Sequence, residues 1–204
     1  MARLILVRHG QIEANVQSLW HGSTDSPLTE TGRSQAAQVA AQLRARATSR
    51  GMVPVAVYAS PLARTRHTAE AIAAALDLPM QVEHDLREYG IGELEGIHYR
   101  TLMEEHRFFA KVQDDHHYAP PGGESLAAVE RRMLDTLSRL EARHRGAEVV
   151  VVGHGAALGV ALGSLFDGDP TRWTQYGIRN CSVTELELHP AARLVSLDDV
   201  AHLQ

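Results

Sequence analysis

The chain has 204 residues, of which 44% are hydrophobic and 22% charged, with a formal net charge of −5. These are ordinary globular values, so disorder and membrane residence are not expected, and the acidic balance offers no electrostatic footprint for nucleic acid or an anionic membrane. One cysteine, Cys181, allows no internal disulfide and suits the cytoplasm, and the absence of a long apolar stretch near Met1 argues against a signal peptide or a transmembrane span.

In chain order, strand and helix signals alternate. Leu4-Ile5-Leu6-Val7, stopped by Arg8-His9-Gly10, reads as a buried parallel strand. A polar loop with Trp20, His21 and Pro27 leads to Thr31, read as the cap of a helix that places Ala36, Val39, Ala40, Leu43 and Ala47 on one face. Residues 53–60 form a second predicted strand, after which Ser60-Pro61 fits an N-cap and first helical position for a helix bearing Leu62, Ala69, Ile72, Ala73 and Leu76. A short strand over 80–83, a glycine-punctuated loop over 85–98 and a helix over 101–111 follow. Pro120-Pro121-Gly122-Gly123 interrupts the chain before a long helix with Leu126, Val129, Met133, Leu137 and Leu140. Residues 148–152 are a third strong strand, Ala156-Ala157-Leu158 starts a helix, and 182–188 and 193–199 are two closing strands joined at His189-Pro190. This alternation predicts an α/β fold, a three-layer α/β/α sandwich with a mostly parallel central sheet, in which residues 1–204 form one domain and 101–123 a cap over its site.

Two of the strong strands end on histidine. Arg8-His9-Gly10 and Gly153-His154-Gly155 stop apolar runs at the ends where open α/β sheets bind ligands, so both imidazoles are expected in one crevice. A lone histidine there is usually a hydrogen-bonded structural residue, but Arg8 brings a permanent charge that is costly to bury unless an anion meets it. The glycines admit a ligand close to backbone, and the amides of the helix after Gly155 favour anions. Arg64, in the first turn after Ser60-Pro61, is unfavourable to the helix dipole unless an anion offsets it. Together these point to phosphate, with Glu88 as a group able to supply a proton to an alcohol oxygen.

These motifs, Leu6-Val7-Arg8-His9-Gly10 with Asn15, Ser26-Pro27-Leu28-Thr29 with Gly32, Ser60-Pro61-Leu62 with Arg64 and Thr68-Ala69, Leu86-Arg87-Glu88 with Gly92 and Glu95-Gly96, Gly122-Gly123-Glu124-Ser125, and Gly153-His154-Gly155, resemble the histidine phosphatase superfamily, also called phosphoglycerate-mutase-like. The resemblance spans nearly the whole chain. It implies that His9 is the nucleophile that becomes phosphorylated, that Glu88 is the general acid and base, and that Arg8, Asn15, Arg64 and His154 hold the phosphoryl oxygens, with Gly155 beside them. It implies no metal and no other cofactor, and a small phosphorylated metabolite as the substrate. A homodimer is left open. Thr65 and His67 stand where relatives often carry Ala and Gln, from which a packing change without loss of activity is expected.

Within that family the choice lies between phosphatase and mutase. A mutase must hold a second anionic group, and the cofactor-dependent phosphoglycerate mutases place Arg directly after the acid Glu, where this chain has Tyr89. Asp114, Asp115, His116 and His117 occupy the stretch where a mutase gathers cations, and the Glu95-Gly96 pattern resembles the broad-specificity phosphatases. The expectation is therefore a phosphatase, with Phe108, Phe109 and Tyr118 as an aromatic cap. The other readings are a mutase, a phospho-ligand binder that would have lost His9 or Glu88, and a metal protein suggested by twelve histidines, although adjacent His116-His117 lack the i, i+4 spacing of a helical zinc site.

Overall fold

A computed structural model describes residues 2–50 and 52–203. Six strands form one sheet: β1 (Arg3–Arg8), β2 (Ala56–Ala59), β3 (Met80–Val82), β4 (Glu148–Gly153), β5 (Val183–Glu187) and β6 (Arg193–Asp199), in the order β3-β2-β4-β1-β5-β6. The first four are mutually parallel; β5 pairs antiparallel to β1, and β6 pairs antiparallel to β5 at the sheet edge. The central strands read as unbroken aliphatic runs because both of their faces are covered. Leu4, Leu6, Tyr58, Val149 and Val151 face one core, and Ile5, Val7, Val57, Val150 and Val152 face the other.

Helices α2 (Glu30–Arg50) and α3 (Ala63–Leu76) cover the second face, while α6 (Leu126–Arg143) and α7 (Gly155–Leu162) cover the first. Three short helices, α1 (Glu13–Val16), α4 (Tyr99–Glu104) and α5 (Phe108–Asp114), lie in the connections. The three-layer α/β/α arrangement is the one the alternation predicts. Helix α6 shows the local logic: Ser125 accepts from the Ala128 amide as N-cap, and the predicted stripe of Leu126, Val129, Met133, Leu137 and Leu140 is fully buried.

Several boundaries differ from expectation for definable reasons. The start of α2 is capped by Thr29, whose Oγ1 accepts from Gly32, and not by Thr31. Strand β2 is shorter than 53–60 because Val53 and Val55 are exposed before pairing begins. Ser60 does not cap α3; Asp25 reaches across to accept from the Ala63 amide at 2.7 Å. The helix expected over 101–111 is two helices, divided where Arg107 adopts a left-handed φ of 49°. Thr65, in place of Ala, is buried and donates to the Leu62 carbonyl at 2.6 Å, tightening that first turn. No helix among the described residues is long and apolar enough to cross a membrane.

Candidate active site

The site starts from strand register. Parallel pairing sets Arg8 opposite Gly153, so the next residues, His9 and His154, leave the sheet side by side. The His9 amide donates to the Gly153 carbonyl at 3.0 Å, and the two imidazoles meet edge to face with centroids 5.3 Å apart. His9 Nδ1 lies 2.8 Å from the Gly10 carbonyl. A carbonyl can only accept, so the proton is on Nδ1 and the lone pair is on Nε2. Burial pushes the His9 pKa well below its ordinary value, and the charges of Arg8 and Arg64 push it further down. The ring is neutral near pH 7, with Nε2 free to act as a nucleophile.

Arg8 Nη1 donates to the Ile178 carbonyl at 2.6 Å, while its buried Nε has no protein partner. Gly155 makes room for this guanidinium: a Cβ there would lie 3.3 Å from Arg8 Cζ. Asn15 Oδ1 accepts from the Ile12 amide and from Asn180 Nδ2, at 3.2 and 3.1 Å, which leaves the Asn15 amide hydrogens as donors on the cavity wall. Asn180 Nδ2 also donates to the His9 carbonyl at 2.9 Å. Arg8, His9, Asn15, Glu88 and Gly155 thus share one cavity, as the motifs imply.

Arg64 and His154 stand behind that wall. Both are fully buried, and neither lines the cavity. Arg64 Nε donates to His154 Nδ1 at 3.3 Å, so the imidazole carries its proton on Nε2 and donates it to Ser60 Oγ at 2.8 Å. The remaining guanidinium nitrogens of Arg64 donate to the carbonyls of His21, Gly22 and Thr24. Burial first, then Arg64, drives the His154 pKa well below its ordinary value, so the residue expected to hold phosphoryl oxygens is a neutral ring with both nitrogens engaged by protein groups. The loop that accepts from Arg64 is itself clamped by Glu95, which takes four hydrogen bonds from Ser23 and Thr24 at 2.6–2.8 Å. Burial would raise the Glu95 pKa, but these bonds bring it below the ordinary value. Gly22 has no room for a Cβ, which would meet the Tyr89 carbonyl at 2.4 Å.

Glu88 occupies the start of α7. Its Oε1 accepts from the Tyr89 and Ala157 amides at 2.9 and 2.8 Å, and its Oε2 from the Ala156 amide at 3.1 Å. The helix amides expected to favour phosphate therefore hold this carboxylate, which is the anion the helix N-terminus wants. Arg132 on α6 fixes the backbone that carries Glu88: it donates to the carbonyls of Asp85, Arg87 and Glu88 and forms a two-pronged pair with Glu124 at 2.9 Å. Sequence reasoning missed Arg132, Ser60 and Asn180. For Arg132 a signal existed, since it falls three residues after Val129, on the edge of the buried stripe of α6.

The cavity measures about 770 Å³, and its far walls are Trp20, Tyr99, Trp173 and Tyr176. The segment expected as a cap, 101–123, contributes no lining residue. Phe108 is buried beneath Trp20, at a centroid distance of 5.9 Å, and Phe109 stacks on Tyr99 and Trp173, so α5 supports the aromatic wall from behind. Tyr118 does not line the cavity either. Tyr89 is fully buried under Trp20, and Asp114 and Asp115 are exposed at the end of α5, away from the cavity. The expectation that these two aspartates set the charge of the pocket does not hold. Among the described residues, no three His, Cys, Asp or Glu side chains converge as a metal site would require.

The family model of the histidine phosphatase superfamily (branch 1) matches residues 4–199. A protein described as probable phosphoglycerate mutase GpmB from Cronobacter sakazakii is 32% identical over 211 residues, covering 100% of this chain and 95% of that protein. Among solved structures, phosphoserine phosphatase from Entamoeba histolytica in complex with 3-phosphoglyceric acid superposes with a TM-score of 0.88 at 28% identity, covering 100% of both chains. Mycobacterial glucosyl-3-phosphoglycerate phosphatase, in complex with VO3, matches with a TM-score of 0.83 at 29% identity, covering 96% of this chain and 98% of that one.

Proposed function

The chain belongs to the histidine phosphatase superfamily, and from that premise we propose that it is a phosphatase which hydrolyses phosphate monoesters of small metabolites through a phosphohistidine on His9. The observation that carries this reading is the His9 tautomer: a neutral ring whose Nδ1–H is spent on Gly10 and whose Nε2 lone pair is free, in one cavity with Glu88. In the first half-reaction Nε2 attacks phosphorus, the P–O ester bond breaks, and protonated Glu88 gives its proton to the departing alcohol oxygen. In the second, water attacks phosphorus, Glu88 takes the water proton, the P–N bond breaks and phosphate leaves. Arg8 and Asn15 hold the phosphoryl oxygens from the cavity wall, where positioning and charge are the main contributions a protein makes to this chemistry. Arg64 and His154 act from behind, by charge and by packing against the His9 ring. Arg64 reaches a phosphoryl oxygen only by exchanging one of its loop carbonyls for it.

Acid- and base-quenched samples after brief exposure to a labelled ester test the reading. The expected label is acid-labile, base-stable and confined to the peptide that contains His9, and His9→Ala abolishes turnover. Label on His154, or full turnover by His9→Ala, would overturn it.

The second reading, a phosphoglycerate mutase, is favoured by the name of the relative that shares 32% identity along the whole chain. Supplying 3-phosphoglycerate with its bisphosphate primer separates the two. Interconversion of 2- and 3-phosphoglycerate faster than phosphate release from every ester tested would decide for the mutase.

A further inference from the structure

Residues 178–180 line the cavity and are hydrogen-bonded to Arg8 and His9. Ile178 accepts from Arg8, and Asn180 donates to the carbonyl of His9. Arg179, between them, also lines the cavity, although its side chain is 60% exposed. An arginine that open is normally free to sweep through solvent. This one is tied down three times by a single residue. Its amide donates to Asp198 Oδ1 at 2.7 Å, its Nε to Asp198 Oδ2 at 2.6 Å, and its Nη2 to the Asp198 carbonyl at 2.9 Å. To turn both carboxylate and carbonyl toward Arg179, Asp198 adopts a left-handed φ of 51° on the edge strand β6, a conformation that costs a non-glycine residue free energy.

Exposed ion pairs contribute little to stability, so fastening a surface arginine this way is poorly explained by folding. Its effect is to hold one face of a guanidinium rigid at the cavity rim. The Nε and Nη2 edge serves Asp198, and Nη1 has no partner among the described residues. Resting on the phosphatase reading, we infer that Arg179 is a specificity-determining residue, and that the preferred substrates are phosphate monoesters whose alcohol part carries a second anionic group, a carboxylate, received by Arg179 while the phosphoryl group lies against Arg8 and His9. A planar guanidinium suits a carboxylate better than an ammonium would, and prior fastening removes the entropic cost of ordering it. Trp20, Tyr99 and Trp173 line the same cavity of about 770 Å³, which is large enough for the carbon skeleton that joins the two groups.

The test separates binding from turnover by using His9→Ala, which cannot carry a phosphoryl group. Calorimetric titration of His9→Ala, and of the same protein carrying Arg179→Ala, is run with 3-phosphoglycerate and with glycerol 3-phosphate, which has the same chain without the carboxylate. The expected result is that Arg179→Ala weakens 3-phosphoglycerate by roughly 10–100-fold, the range for a lost charge-assisted hydrogen bond, while glycerol 3-phosphate changes by less than about threefold. Equal weakening of both ligands, no weakening of either, or no measurable binding of 3-phosphoglycerate when Arg179 is present would each overturn the assignment. Phosphate release by the unaltered protein is measured in parallel, so failure of the hydrolase reading is seen separately. Arg179→Lys should restore only part of the preference, since it keeps the charge and loses the fork.

Discussion

Strand β1 carries an arginine at each end, and the two ends of the sheet treat them in opposite ways. At the amino end, Arg3 sits among carboxylates: Glu187 at 2.9 Å, Glu185 at 3.7 Å and Glu148 at 3.8 Å, with Arg46 pairing to Glu185 from the far side at 2.9 Å. Its pKa is raised, by the hydrogen bond to Glu187 more than by anything else. At the carboxyl end, Arg8 has one carbonyl and a buried Nε without a protein partner, and burial lowers its pKa. Arg3 is thus neutralised at one end of the strand, while Arg8 is left short of anions at the end that faces the cavity. A buried cation with incomplete partners is tolerated only because the surrounding structure holds it there.

The contrast breaks first at Arg8. Replacing it with Ala should cost about 10²–10³ in kcat, the usual price of one charge-stabilising donor. It should not lower stability, because an under-paired buried cation is removed. A clear loss of stability in Arg8→Ala, read by denaturant unfolding, would show that both arginines are structural.

Next in size is the response to pH, because the two ends lose stability in different windows. His9 and His154 have folded pKa values well below the ordinary 6.5. Above that value they are neutral in both states and add no pH dependence. As pH falls below it, the unfolded chain takes up protons that the native state refuses, so stability drops by about 1.4 kcal/mol per pH unit for each ring until its folded pKa is passed. Glu187 at the other end is lowered from 4.5, first by its bond to Arg193, so its contribution is complete above that value and is lost only as pH falls through the folded pKa. Unfolding curves collected from pH 7 to pH 3 should therefore show a first decline beginning near the histidine value. A flat profile down to pH 5 would contradict neutral, buried imidazoles at the site.

The smallest effect belongs to Arg3. Arg3→Ala leaves the buried carboxylates of Glu148 and Glu185 short of a cation and should cost about 2 kcal/mol of stability, discounted from a fully buried pair because Arg3 is partly exposed. The kcat of the folded protein should stay unchanged. A change in kcat as large as that of Arg8→Ala would erase the distinction between the ends.

How much of this could be read from the sequence depends on whether the cause was local. The strands were legible because apolar runs such as Leu4 to Val7 and Val149 to Val152 have few other uses, and the two histidines were legible as residues that stop them. That β1 and β4 are neighbours, in the register that places His9 against His154, is a tertiary fact with no local signature. Ser60 looked like a helix cap because it precedes Pro61, yet its hydroxyl serves His154, and Asp25 caps α3 from 38 residues away. Asp114 and Asp115 lie in the stretch where a mutase gathers cations, but place in the chain does not fix which way a side chain faces, and both are exposed at the end of α5, outside the cavity. The bonds from Arg132 to the backbone at 85–88 span more than forty positions, a distance over which charge patterning in the sequence says nothing.

The seating of Glu88 on the first amides of α7 has a consequence for selectivity. His9 leaves the β1–β4 junction, and Glu88, carried by the loop after β3, is anchored on the first amides of α7, whereas the cavity walls at 19–21, 99 and 173–179 belong to other segments. On the proposed function, chemistry and selectivity therefore reside on different segments of the chain. On the proposed phosphatase reading, substitution at Trp20, Tyr99, Trp173 or Arg179 redistributes turnover among esters while the reaction itself is preserved.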